Sequence, residues 1–132
     1  MAELDARAAA AAAMSEDELE DAVRELAAGF ARLGHPVLAY HPWKRHAMRA
    51  AAGYPDWTFA GAGGVMWREL KTMRGRPSAE QTTWLNMLRS AGADAGVWRP
   101  VDLLDGTIGG QLSLIAGIYG HNQEHMRGAD QP

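Results

Sequence analysis

Apolar residues recur at helical spacing in three parts of the chain. The first part opens at Ser15, where the residues that follow make a capping-box pattern, and it ends at Gly34, which suits the position after a helix. Ser78 opens the second part, and residues 91–92 close it. The third part covers residues 108–118. We therefore predict three helices, and the apolar face of the first contains Leu19, Val23, Leu26, Ala27, Phe30 and Leu33.

Four short runs outside these helices are typical of strands. They cover residues 36–40, 55–60, 65–71 and 95–99, and the glycine-rich residues 61–64 join the second and third runs as a hairpin. The helix after Ser78 gives the last connection the spacing of a parallel crossover. The order α-β-β-β-α-β plus a C-terminal helix predicts an α/β fold with a mixed four-stranded sheet flanked by helices. Residues 101–104 are predicted to form a short turn.

The length of 132 residues fits one domain. We expect the domain to span residues 15–118, after a disordered Ala-rich leader at 1–14 and before a flexible tail at 119–132. The absence of cysteine excludes disulfides and thiolate metal sites. No apolar run reaches the roughly 18 residues of a membrane span, and acids near the start do not suit a secretory signal. We therefore expect a cytoplasmic protein with no membrane partner.

Charge is unevenly distributed along the chain, although its net value is only −3. Residues 1–35 carry a net −5, residues 36–100 a net +5, and residues 101–132 a net −3. A basic middle between acidic ends can form a positive face for nucleic acid. The alternative is an ordinary solvated surface.

The third strand carries the side chains that are most informative about chemistry. Because side chains alternate along a strand, Glu69 and Lys71 share a face with Trp67. Asp56 begins the preceding strand, from which a hairpin lets it reach Glu69. Two adjacent carboxylates repel unless a cation lies between them, and such oxygen ligands suit Mg²⁺ or Mn²⁺. The alternative is a cross-strand salt-bridge cluster on a solvated face.

A metal ion at this position would activate a phosphodiester and a water molecule. Lys71 is then a candidate for orienting the water or for stabilising charge in the transition state. Gln81 is a candidate for holding the water or a metal ligand, and its alternative role is to close the capping box of its helix. Glu18 is a candidate further carboxylate, and its alternative role is that of an acid favoured by the helix dipole.

Four segments occur in the order of a known nuclease pattern. GYPDW (53–57) is followed by RELK (68–71), by GRPSAEQTTWL (75–85) and by the apolar-apolar-Arg element Val97-Trp98-Arg99. Together they resemble the VRR-NUC family of PD-(D/E)xK nucleases over roughly residues 15–118. The resemblance implies a restriction-endonuclease-like core.

The resemblance also implies roles for individual residues. Asp56 and Glu69 would be metal ligands, together with the main-chain carbonyl of Leu70. Lys71 would be the catalytic lysine and Gln81 a supporting active-site residue. Glu18 is carried over less directly, because Glu16 and Glu20 lie on nearby turns of the same helix. Stand-alone members, often phage-encoded, resemble structure-specific endonucleases and Holliday junction resolvases that act as dimers.

Several basic and aromatic residues are candidates for contact with nucleic acid. Lys44 and Arg45 could bind backbone phosphates, as could Arg74 and Arg76 beside the site; the alternative is a solvated loop. Arg99 is a candidate either for phosphate contact or for a polar role in the core. Trp43 and Trp57 are the right residue type for base stacking, but packing is the interpretation we favour. His121 and His125 have helical metal-pair spacing but no third ligand, so we do not predict a site there.

These observations predict Mg²⁺- or Mn²⁺-dependent hydrolysis of DNA phosphodiesters at branched or flapped structures. A homodimer is a further expectation, and the apolar residues of the last helix are the candidate interface; the alternative is that they close the core. Two rival functions are a non-catalytic DNA-binding or assembly module on the same fold, and a nuclease acting on RNA or linear DNA.

Overall fold

The computed structural model describes residues 2–42 and 52–118. Within these ranges there are five helices and four strands. The helices are α1 (Ala2–Ala13), α2 (Glu16–Arg32), α3 (Ala79–Ser90), α4 (Pro100–Leu104) and α5 (Thr107–Ala116). The strands are β1 (Leu38–Tyr40), β2 (Trp57–Gly61), β3 (Gly64–Leu70) and β4 (Asp94–Trp98). No helix in the described ranges is both long enough and apolar enough to cross a bilayer.

The sheet has the order β1-β2-β3-β4. Strand β2 pairs antiparallel with both β1 and β3, whereas β3 and β4 are parallel. This confirms the α/β fold with a mixed four-stranded sheet and helices. The hairpin between β2 and β3 is tight, because Gly61 pairs directly with Gly64. The parallel connection from β3 to β4 passes through α3, as the spacing predicted.

Helix α2 begins and ends where its sequence signals place it. Ser15 accepts a hydrogen bond from the backbone N–H of Glu18, and the Glu18 side chain accepts one from the backbone N–H of Ser15. At the other end, Gly34 has a φ of +82°, and the N–H of His35 donates to the carbonyl of Phe30. This is the Schellman arrangement that glycine favours after a helix.

Residues 2–13 form helix α1, so the expected disordered leader is wrong for this segment. Alanine has the highest intrinsic helix propensity, and a run of it needs few large apolar residues to stay helical. Ala11 is buried, and α1 packs against α4. The expected flexible tail at 119–132 lies outside the described residues.

Helix α4 replaces the turn expected at residues 101–104. Pro100 occupies the start of the helix, where its fixed φ suits a first turn. The Asp102 carboxylate accepts a hydrogen bond from the backbone N–H of Arg99 at 2.8 Å. A proline at the first helical position and an acid at the third therefore favour a helix in this short segment.

The hydrophobic core lies between one face of the sheet and helices α2 and α5. Its largest buried side chains include Phe59, Met66 and Trp98 from the sheet. Ile108, Leu112 and Ile115 of α5 belong to the same core. The fourth residue of the candidate dimer interface, Ile118, is partly buried and packs against this core, so the residues of the last helix take the alternative role of closing the core.

A buried arginine links the sheet to α5 on this same side. Arg68 is 5% exposed, and its guanidinium contacts the carboxylate of Asp94 at 2.7 Å and the Gln111 side-chain oxygen at 3.0 Å. The Trp98 indole N–H donates to that same Gln111 oxygen at 2.8 Å. Paired in this way, the charge is tolerated at a buried strand position.

Substitution of Gly63 tests the contact between the β-hairpin and the end of α5. The Gly63 N–H donates to the Ile115 carbonyl, and a Cβ at this position would lie 1.9 Å from the Leu114 carbonyl oxygen. We expect Gly63→Ala to destabilise the protein by about 2 kcal/mol or more.

Gly110→Ala is the matched control, because nothing lies within 4 Å of a Cβ at this helical position. It should raise stability by roughly 0.5–1 kcal/mol, since alanine favours a helix. Urea unfolding of both variants measures the difference. Equal stabilities for the two variants would show that the hairpin does not depend on this contact.

Candidate active site

Asp56 and Glu69 are joined by reciprocal hydrogen bonds at the end of the β2–β3 ladder. The backbone N–H of Asp56 donates to Oε2 of Glu69 at 3.2 Å, and the backbone N–H of Leu70 donates to Oδ2 of Asp56 at 2.9 Å. The pairing of Trp57 with Arg68 produces this arrangement, because it places the next residue outward on each strand side by side. The two carboxyl groups therefore lie on the same side of the sheet, as the hairpin predicted.

Glu69 is buried, at 1% exposed, and this changes its acidity. Burial, the neighbouring Asp56 charge and a hydrogen bond between the two carboxyl groups raise the pKa of Glu69 to about 8. Lys71 opposes this shift. At neutral pH the Glu69 carboxyl therefore holds its proton, which relieves the repulsion between the two groups.

Gln81 combines the two roles that the sequence analysis set against each other. Its side-chain oxygen accepts a hydrogen bond from the backbone N–H of Ser78 at 2.8 Å, which closes the capping box of α3. Its side-chain NH₂ donates to Oε1 of Glu69 at 2.7 Å. Capping the helix thus fixes the amide in the orientation that holds the buried carboxyl.

Lys71 lies just beyond the last residue of β3 and faces the same oxygen. Its Nζ is 3.6 Å from Oε1 of Glu69 and 3.9 Å from Oε1 of Glu16. The backbone N–H of Lys71 donates to the carbonyl of Trp98, which extends the parallel ladder by one step. The ammonium is therefore held next to the carboxyl pair by the sheet itself.

The carboxyl pair fits a hard divalent cation. Two adjacent carboxylates present oxygen ligands, and Mg²⁺ is commonly bound by one or two carboxylates with water completing its shell. The N–H and C=O of one strand residue point to the same side, so the Leu70 carbonyl faces Asp56 as its N–H does. Within residues 2–42 and 52–118, no group of three or more His, Asp and Glu side chains forms a metal site. The fit is therefore to a two-carboxylate site.

The contacts of Glu18 do not bring its side chain into this cluster, in contrast to the predicted catalytic role. Its side chain is exposed, and it is engaged with the backbone N–H of Ser15 in the α2 capping box. Glu16, two residues earlier on α2, is the acid that faces Lys71. The capping box itself was the signal, since it commits the third helical residue to the helix start.

Sequence reasoning missed His41, which lies against the main chain of Asp56. Its Nδ1 contacts the Asp56 carbonyl oxygen, and its Nε2 is 3.6 Å from Oε1 of Glu20. The imidazole stacks on Trp57 with ring centroids 4.6 Å apart. The position depends on the pairing of Tyr40 with Thr58, which no local pattern specifies. Trp57 itself is 4% exposed, so it packs rather than stacks on bases.

Gly53 brings the segment before Asp56 against the start of α3. Its φ is +84°, and a Cβ there would lie 2.4 Å from the Glu80 carbonyl carbon and 2.6 Å from the Gln81 nitrogen. Only glycine combines this backbone conformation with such a close approach. The contact keeps the Asp56 segment and Gln81 adjacent.

The basic residues predicted to contact nucleic acid have three different outcomes. Arg74 and Arg76 are exposed on the loop that follows Lys71. Lys44 and Arg45 lie outside the described residues, as do Trp43, His121 and His125. The Arg99 guanidinium is directed to main-chain carbonyls of the loop that bears Arg74, so it has a polar structural role.

Replacing Glu69 tests the pKa of its buried carboxyl. Its folded pKa of about 8 lies above the ordinary value of 4.5, so the folded state binds the proton more tightly. That contribution to stability is complete below pH 4.5 and is lost as the pH rises to about 8. Without metal, the wild type should therefore lose up to about 1.4 kcal/mol per pH unit in this window relative to Glu69→Gln.

The measurement is urea unfolding in EDTA at several pH values between 5 and 9. The control Glu25→Gln removes an exposed carboxylate on α2, and its stability should change with pH at the wild-type slope. A Glu69→Gln slope equal to that of the wild type would show that the carboxyl titrates normally.

Comparison of the chain with protein-family models, with curated proteins and with solved structures gave no match. The residues of this chain and their geometry are therefore the basis for assigning a function.

Proposed function

We propose that this protein is a metal-dependent nuclease of the PD-(D/E)xK class, with a restriction-endonuclease-like core and a resemblance to the VRR-NUC family. The observation that carries the proposal is the pair of carboxyl groups on Asp56 and Glu69, with the Lys71 ammonium 3.6 Å from the buried one. A salt-bridge cluster on a solvated face would leave these groups exposed, whereas Glu69 is among the most buried side chains.

The carboxylates of Asp56 and Glu69, with the Leu70 carbonyl, would hold Mg²⁺ or Mn²⁺. A bound ion would supply Lewis acidity to a phosphodiester and lower the pKa of a water molecule. Lys71 is placed to stabilise negative charge that develops on the phosphoryl oxygens, or to orient the attacking water. Gln81 donates a hydrogen bond to Oε1 of Glu69, which would keep that carboxylate oriented for the ion.

The substrate we propose is DNA, cut at branched structures such as Holliday junctions or flaps. Arg74 and Arg76 are exposed on the loop that follows Lys71 and would bind backbone phosphates, which carry no sequence information. Lys44 and Arg45 are further candidates for phosphate contact. The family resemblance implies branched DNA and a homodimer, and a cytoplasmic location stays a prediction from the sequence.

Amide variants of the two acids test the catalytic assignment. We expect Asp56→Asn and Glu69→Gln to reduce cleavage by at least about 10²-fold, because each removes a ligand charge from the metal site. Lys71→Met should have a similar effect while leaving metal binding in place. Initial rates are measured with Mg²⁺, Mn²⁺ or EDTA on junction, flap, splayed and linear DNA, and on RNA.

Glu18→Gln is the matched control, since an amide oxygen still accepts the capping hydrogen bond and the residue lies outside the cluster. It should cleave at the wild-type rate. Equal cleavage by Asp56→Asn would reject the site. DNA binding without cleavage by the wild type would favour a non-catalytic module, and a preference for RNA or linear DNA would change the substrate.

A further inference from the structure

Residues 72–77 connect Lys71 to the helix that bears Gln81, and they include two exposed arginines. This segment begins immediately after Lys71 and ends at Ser78, the N-cap of the helix that bears Gln81. Arg74 and Arg76 are exposed within it. We call it the 72–77 loop. Its conformation decides where those two charges lie relative to the carboxyl pair.

Three main-chain carbonyls of this loop converge on one nitrogen of Arg99. The distances from Nη1 of Arg99 are 2.6 Å to the oxygen of Thr72, 3.3 Å to that of Met73 and 2.7 Å to that of Gly75. Carbonyl dipoles aimed at one point repel one another unless a positive charge occupies it. Hydrogen bonds from a charged donor are also the strong ones. The guanidinium therefore supplies the interaction that this loop conformation requires.

Arg99 is itself fixed from two directions. It follows β4, whose last residue Trp98 accepts a hydrogen bond from the Lys71 N–H. Its own N–H donates to Asp102 at the start of α4, and the next residue, Pro100, is buried. The side chain thus ties the 72–77 loop to a rigid part of the fold, across 24 to 27 residues of sequence.

We infer that Arg99 is a positioning residue that holds the 72–77 loop so that Arg74 and Arg76 can bind substrate phosphates beside the site. The part concerning phosphates rests on the proposed nuclease function; the bracing of the loop does not. The backbone of Lys71 is held by β4 rather than by Arg99. Loss of the guanidinium should therefore weaken substrate binding more than the chemical step.

Limited trypsin digestion tests the bracing independently of any activity. Trypsin cuts after arginine but not before proline, so Arg74–Gly75 is the susceptible bond in the loop and Arg76–Pro77 is not. In Arg99→Ala, cleavage after Arg74, followed by mass spectrometry, should be roughly tenfold faster, because the loop opens without its charged hydrogen bonds. Millimolar guanidinium should restore protection, whereas the same concentration of NaCl should not.

Arg89→Ala is the matched control, because Arg89 also donates to a main-chain carbonyl, that of Ala95, but near the start of β4, whereas Arg99 follows its last residue. It should leave cleavage after Arg74 unchanged. Should Arg99→Ala fail to fold, Arg99→Lys replaces it; an ammonium reaches fewer of the carbonyls, so an intermediate cleavage rate is expected. An unchanged rate in either folded variant would overturn the bracing role.

Kinetics on the preferred DNA substrate test the consequence for binding. We expect Arg99→Ala to raise KM roughly tenfold and to change kcat by less than about threefold, with guanidinium restoring KM. Arg99→Lys should recover part of the loss. A fall in kcat alone, or no kinetic effect despite faster trypsin cleavage, would overturn the positioning of Arg74 and Arg76. Complete inactivity of the wild type with an intact trypsin result would reject the nuclease function and leave the brace standing.

Discussion

A carboxyl group buried at the end of a strand is the constraint on which the rest of the site depends. Removing a carboxylate from water is costly unless it gains hydrogen bonds, an opposite charge or a proton. Glu69 has all three: hydrogen bonds from Gln81 and the Asp56 N–H, the Lys71 ammonium nearby, and a raised pKa. An isolated buried acid would simply destabilise the fold, so this convergence of partners indicates a site built around Glu69.

The fold brings these partners together by local devices at one end of the sheet. The hairpin register sets Asp56 beside Glu69. The helix of the parallel crossover, α3, is oriented so that its first turn faces the same carboxyl. Gly53 allows the two segments to touch backbone to backbone. Each device acts within a few residues of the site, which is why a small domain can position the cluster.

Much of this could be predicted from sequence, because local rules governed it. Side-chain alternation and the hairpin predicted the approach of Asp56 to Glu69, and Ser78 with Gln81 predicted the start of α3. Tertiary placement could not be predicted in the same way. His41 reaches Asp56 only through the pairing of β1 with β2. Arg99 reaches the 72–77 loop from the end of β4, the strand next to β3. The capping box at Ser15 is also a local pattern, and it already indicated that the Glu18 carboxylate is used at the helix start.

The raised pKa of Glu69 also explains how this carboxyl can be buried beside Asp56 without a cation. A proton and a divalent ion relieve the same repulsion, so they compete for the same oxygens. Gln81 and the Asp56 N–H hold the Glu69 oxygens in place in either case, because they bond to acceptor lone pairs rather than to the cation. The geometry is therefore set by the folded chain, and the ion that we propose would change the charge of the site more than its shape.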